Sequence, residues 1–286
     1  MRQWGREMSE GAAQTAFDRT WWAAVTRHGR LWRGCFSLAL VREAQFRAHS
    51  VTTAIVGLFQ VAIGLVPVLL LYSYTDEMRG WSRADVTVLL GLHQVMTGML
   101  AMFIGPNMWR MSDYITRGEL DLMLIRPVNT QFYVTTRWIR PDQAFNVVAG
   151  LAVASIGIAR GGSAPDVLDI VQATIVFLAG FVLMTCAWSS LTYCAFWMQS
   201  VVTVSMFFQD MMQAGRYPVM FFPLAVRLMF TVLVPLAFAA TFPAQAITGG
   251  ISWSLVIGAV GFAIVAIVFV RLFWLHAIRR YSSASS

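Results

Sequence analysis

Six long apolar runs, each nearly free of charge, leave this chain few ways to fold. They lie at about Val51–Tyr72, Val86–Met108, Phe145–Ala159, Val167–Met198, Val219–Ala240 and Ile251–Trp274. A helix needs about 20 such residues to cross the hydrocarbon core of a bilayer. Within that core only a helix or a closed barrel satisfies its own backbone. Runs this long and this uniform predict helices, so the fold class expected is an all-α integral membrane protein with six transmembrane helices. The third run is short unless it starts within Arg140–Asp142. The fourth exceeds a bilayer and reads as one helix that continues past the interface. Composition agrees: 58% of the 286 residues are hydrophobic and 12% charged, against about 25% charged in soluble domains.

The arginines orient these spans. Eighteen lie on one side, in or next to the tails and the gaps after the even-numbered spans, and only Arg79, Arg83 and Arg160 fall in the alternate loops. That bias predicts cytoplasmic termini. The remaining loops, 73–85, 160–166 and 241–250, are then short outer loops. The last of these carries no charge and reads either as an ordinary loop or as a re-entrant cap. The formal charge of +7 is spread around apolar spans, so it points to membrane orientation and not to nucleic acid.

Residues 1–28 read as a cytoplasmic tail. Residues 29–48 read as an amphipathic elbow helix in the membrane interface. There Leu31, Trp32, Cys35, Phe36 and Ala39 recur at helical spacing, opposite Arg30, Arg33 and Ser37. Residues 49–276 form the six-span domain, and 277–286 a short cytoplasmic tail. The first long apolar run starts too far in for a cleaved signal peptide.

All 21 basic residues are arginine. Without lysine there is no Walker A phosphate loop and no Schiff-base chemistry. Cys35, Cys186 and Cys194 lack metal-ligand spacing. The expectation is a non-catalytic chain with no metal and no cofactor of its own. Polar groups within the spans are the candidates for a translocation path: Gln60, His93 and Gln94, together with Arg227 in the fifth run. Arg227 also reads as a side chain that snorkels to the cytoplasmic headgroups. Pro223 and Pro235 are expected to kink that span. Ser205–Tyr217, with Asp210 and Arg216, reads as an amphipathic cytoplasmic link between spans four and five.

The longest charged gap holds Gly118–Glu119–Leu120–Asp121–Leu122–Met123–Leu124–Ile125–Arg126–Pro127. It reads as a short amphipathic helix stopped by proline, within a cytoplasmic segment 112–127.

These features resemble the permease subunits of ABC transporters of the type-2 exporter class, in the six-span bacterial branch without a fused ATPase. The likeness covers about residues 30–281. It rests on Glu43–Ala44–Gln45–Phe46–Arg47, on Gly118–Pro127 as a G-x-L-D-x-x-L-x-[KR]-P loop, and on Arg216–Tyr217–Pro218 with Pro223, Arg227 and Val234–Pro235, then Phe242–Pro243–Ala244. The Arg280–Tyr281–Ser282–Ser283–Ala284 terminus completes it.

The resemblance implies a dimer of permeases, identical or related, with two copies of a separate ABC ATPase that binds ATP and Mg. It makes Gly118–Pro127 the coupling helix, with Gly118, Glu119, Leu120, Asp121, Leu124, Arg126 and Pro127 as its contact residues. It also implies export across a bacterial inner membrane. Apolar walls without buried charge suggest a hydrophobic or amphipathic cargo. A self-contained secondary carrier and a non-transporting membrane scaffold are the competing readings. The carrier requires a polar site at mid-membrane, and the scaffold requires no ATPase.

Overall fold

The computed structural model describes residues 26, 28–45, 47–75, 77–126, 128–162, 164–197 and 201–280. Residues 1–25, Pro127 and the tail beyond Arg280, for which expectations were stated above, lie outside them. The described chain is almost entirely helical. Five of its helices are long and apolar enough to cross a membrane: Ser50–Leu71, Arg83–Phe103, Pro141–Arg160, Val167–Phe196 and Trp253–Arg280.

Helix α1 spans 28–45, and α2 spans Arg47–Leu71. A two-residue-per-strand hairpin, Glu77–Met78 with Trp81–Ser82, turns through Arg79 and Gly80, both at positive φ. α3 then runs Arg83–Phe103. It opens on a reciprocal cap in which the Ser82 hydroxyl accepts from Asp85 N–H and the Asp85 carboxylate accepts from Ser82 N–H. α3 stops at Ile104, two residues before Pro106, and α4 follows over Gly105–Thr116. α5 is Glu119–Leu124 and α6 Thr130–Thr136. A 3₁₀ turn at Pro141–Gln143 leads into α7, Ala144–Arg160. The short third span therefore does gain its length from Pro141 onward. α8, Val167–Tyr193, starts on a second reciprocal cap between Asp166 and Asp169.

α3 and α7 pack along their full lengths because glycines remove the side chains between them. A Cβ placed on Gly91 would lie 2.3 Å from Ala154 N, one on Gly150 2.7 Å from Val95 N, and one on Gly157 2.7 Å from Val88 N. Small residues that let backbones touch are the usual means of joining helices in lipid, where apolar burial drives nothing. α8 packs beside α12, Trp253–Arg280, through Val176, Ala179 and Leu183 against Val256, Ala259 and Ala263.

The fifth run departs from expectation. Residues 219–240 do not form one span. α10, Leu224–Leu228, continues as a wide turn to Leu233. The chain breaks at Val234–Leu236, and a second limb runs from Ala237 into α11, Phe242–Thr248, bent by 79° from the first. Pro235 is the cause, since it has no N–H to continue the ladder.

Both ends of this bent pair sit at the β-hairpin end of the bundle. Arg79 of the hairpin donates to the Met220 carbonyl (2.6 Å), and Gln245 Nε2 lies 3.8 Å from the Met220 sulfur. The apex lies halfway down, where Leu236 meets Gly215 and Phe238 meets Gly180. The pair enters and leaves at one end.

What travels the length of the bundle instead is 201–221, with α9 at Val201–Gln213. Phe208 stacks on Trp188 near the far end of α8 (5.1 Å between centroids), the Met212 carbonyl meets His93 halfway along α3 (2.8 Å), and Met220 reaches the hairpin. The expectation of a cytoplasmic link at Ser205–Tyr217 is thereby corrected. Arg227, expected to snorkel to the cytoplasmic headgroups, lies exposed on the first limb of the bent pair, which starts at the hairpin end. In a cysteine-free background, Met220→Cys should react with an impermeant maleimide from the same face as Tyr74→Cys. Reaction from the face that exposes Ile125→Cys would restore a straight fifth span.

Candidate functional site

Two regions gather the residues singled out in the sequence. The first is α5. α4 ends at Arg117, and Gly118 takes φ 70°, ψ 11° to reverse the chain, a conformation that disfavours side chains. The seven residues that follow show two faces. Leu120 and Met123 point inward, 0% and 3% exposed, into a cluster with Met111, Tyr114, Val134, Tyr193 and Trp274. Leu122, Leu124 and Ile125 point outward, 63%, 38% and 80% exposed.

Leu120 therefore anchors the helix to the bundle, and the exposed apolar patch lies one face round from it. Glu119 is exposed and Asp121 half-buried beside this patch. Arg126 donates to the Tyr133 hydroxyl (3.0 Å) and lies over its ring. Burial pushes the phenol of Tyr114, behind the patch, above its usual range, against the pull of the Trp138 indole N–H that donates to it (2.6 Å).

The second region lies inside the bundle. Gln60 of α2, Gln94 and Thr97 of α3, Asn146 of α7, Trp188 of α8 and Gln209 and Gln213 of α9 surround a cavity of about 190 Å³. Its polar groups form a chain: Gln94 Nε2 donates to Asn146 Oδ1 (3.2 Å), Asn146 Nδ2 to Gln143 Oε1 (2.7 Å), and Gln143 Nε2 to Asp142 Oδ2 (3.2 Å). Asp142 is closed by Arg140 (2.5 Å). α2 comes close enough that a Cβ on Gly57 would overlap the Asn146 amide oxygen. His93 and Arg216 line an adjoining crevice with Gln60 and Gln94.

Gln60, His93 and Gln94 are thus brought together, and Arg227 is not among them. Asn146 and Gln143 escaped the sequence reading because they stand where the third span begins. Gln209 and Gln213 escaped it because their polarity made α9 look interfacial. A helical wheel over 201–216 sets Gln209 and Gln213 on a stripe about 100° round from Phe208 and Met212, the one signal that was there to read. The cavity takes no charged side chain into its wall. It suits a hydrogen-bonding guest without net charge, or the passage of one.

A sequence profile described as "ABC-2 family transporter protein" matches residues 58–285. No curated protein and no solved structure gave a match.

Proposed function

The chain belongs to the ABC-2 transporter family as a membrane permease, and from that premise we propose that two such permeases form the export path of an ATP-driven transporter. The observation that carries this reading is the placement of polar groups. Gln60, Gln209 and Gln213 are exposed at the same depth as the buried amide chain, on the flank where α2 is exposed along most of its length. Amides facing hydrocarbon are costly. A second permease, identical or related, covers that flank and turns the open cavity into a shared path.

In this reading the β-hairpin end and the bent pair face outward, and α5, the tails and most arginines face the cytoplasm of a bacterial inner membrane. Residues 201–221 make the sixth crossing. The family implies an ABC ATPase partner, present here in two copies. ATP and Mg sit on that partner, and the outward face of α5 receives its motion. The cargo is an amphipathic compound such as a drug, lipid or peptide, whose uncharged polar part exchanges hydrogen bonds with the amides while its apolar part follows α2.

The test is co-purification. The tagged chain, expressed with its neighbouring reading frames and solubilised gently, should bring down a P-loop ATPase in equal copy number. A folded, monodisperse permease that never carries an ATPase overturns the proposal and returns the carrier or the scaffold.

A further inference from the structure

We propose that Arg42, Arg110, Arg137 and Arg140, set around Trp138, bind the phosphate of an anionic phospholipid. The indole is a fixed platform. Asn107 grips its backbone twice, donating to the Trp138 carbonyl (2.8 Å) and accepting from its N–H (2.8 Å), and the Trp138 ring N–H donates to Tyr114. Three guanidiniums lie over this one ring, with Arg110 at 4.1 Å, Arg137 at 5.1 Å and Arg42 at 5.2 Å from the centroid.

Arg42 comes from α1 and is tied to the Ile139 carbonyl (2.9 Å). The cluster therefore bridges the N-terminal helix and the bundle. Beside the ring is an open cavity of about 480 Å³ walled by Arg42, Glu43, Pro106, Arg110, Trp138, Arg140 and Asp142. The acids do not balance the bases. Asp142 is taken by Arg140, and Glu43 accepts from Ser50. Among the described residues the cluster therefore holds four cations against two anions.

Cation–π contacts hold the guanidiniums in place but do not neutralise them. Arginines brought this close repel one another until an anion joins them, and the planar guanidinium fork suits phosphate oxygens.

Depth selects a lipid over a free ion. The Arg140 N–H donates to the carbonyl of Met102, one residue before α3 ends at Phe103, and the long apolar span Pro141–Arg160 starts next to it. The cavity thus opens where two apolar spans end, at the level of headgroups. Arginines so placed gain about fivefold in affinity each from an anionic surface.

The experiment uses the full chain in detergent, with bound lipid counted by native mass spectrometry during titration with phosphatidylglycerol, phosphatidylcholine or inorganic phosphate. Phosphatidylglycerol should bind the wild type well above phosphatidylcholine. The double variant Arg110→Gln/Arg137→Gln should bind it about 30-fold more weakly. Arg110→Lys/Arg137→Lys, which keeps the charge, should recover part of the loss, and Arg79→Gln at the opposite end should lose nothing. Equal binding of the two lipids, or undiminished binding by a monodisperse glutamine variant, overturns the proposal. Displacement of phosphatidylglycerol by equimolar inorganic phosphate overturns the lipid assignment.

Discussion

Gly150→Leu should yield little or no monodisperse protein, whereas Gly258→Leu should behave as wild type. The contrast follows from what each new side chain meets. At Gly150 a Cβ alone would lie 2.7 Å from Gly91 O and Val95 N, both backbone atoms. At Gly258, on the exposed side of α12, it meets nothing within 4 Å. Backbone cannot rotate out of the way as a side chain can, so leucine at 150 must push α3 from α7.

Overpacking in cores costs about 1–3 kcal/mol where side chains can adjust, and here they cannot, so a loss of about 3 kcal/mol or more is expected. α3 is the most buried of the long helices, and it carries His93, Gln94 and Thr97. Parting it from α7 also breaks the Gln94–Asn146 bond. Size-exclusion profiles and thermal unfolding in detergent check both variants. A stable Gly150→Leu protein would mean that α3 and α7 are not in backbone contact.

How far the sequence reached depended on whether one structure alone could satisfy each apolar run. α2, α8 and α12 were legible because a long uncharged run bounded by charge or by a cap has only one solution in lipid. Hydropathy failed at 219–240 because it measures the cost of water, which a bent helical pair, one limb exposed and the other packed in the bundle, avoids within a bilayer as well as a span does. Pro218, Pro223, Pro235 and Pro243 carried the correct signal, but each also permits a mere kink.

The same ambiguity hid α9. Gln209, Asp210, Gln213 and Arg216 lower its hydropathy because it lines a polar cavity, and the pattern of a cavity wall is also the pattern of an interface helix. Gln60, His93 and Gln94 stood out for a sounder reason: a polar side chain within an apolar run needs a partner. The partners supplied by α7 and α9 come from tertiary packing, which no spacing in the chain reveals. In α5 the period separated Leu120 and Met123 from Leu122 and Ile125, but only the packed bundle tells which pair turns inward.

That division of α5 supports a second large effect. Leu122→Asp/Ile125→Asp should abolish ATPase co-purification and transport while leaving the permease folded, and Leu120→Asp should lose function by losing the fold. Leu122 and Ile125 are exposed, so charging them costs the isolated chain almost nothing. In the proposed complex each is an apolar anchor, and burying such a side chain contributes about 1.5–3 kcal/mol. Losing both, and adding two charges that must be desolvated, should weaken association by at least about a hundredfold. Leu120 is fully buried among Met111, Tyr114 and Val134, and a carboxylate there has no partner with which to offset its burial.

Solubilised yield and unfolding midpoint separate the two classes of defect, and pull-down of the ATPase measures the first. If the double variant still carries its ATPase, the outward face of α5 is not the seat of coupling. The path through the amide cavity does not depend on that outcome, because its wall is drawn from α2, α3, α7, α8, α9 and the turn before α7, and not from α5.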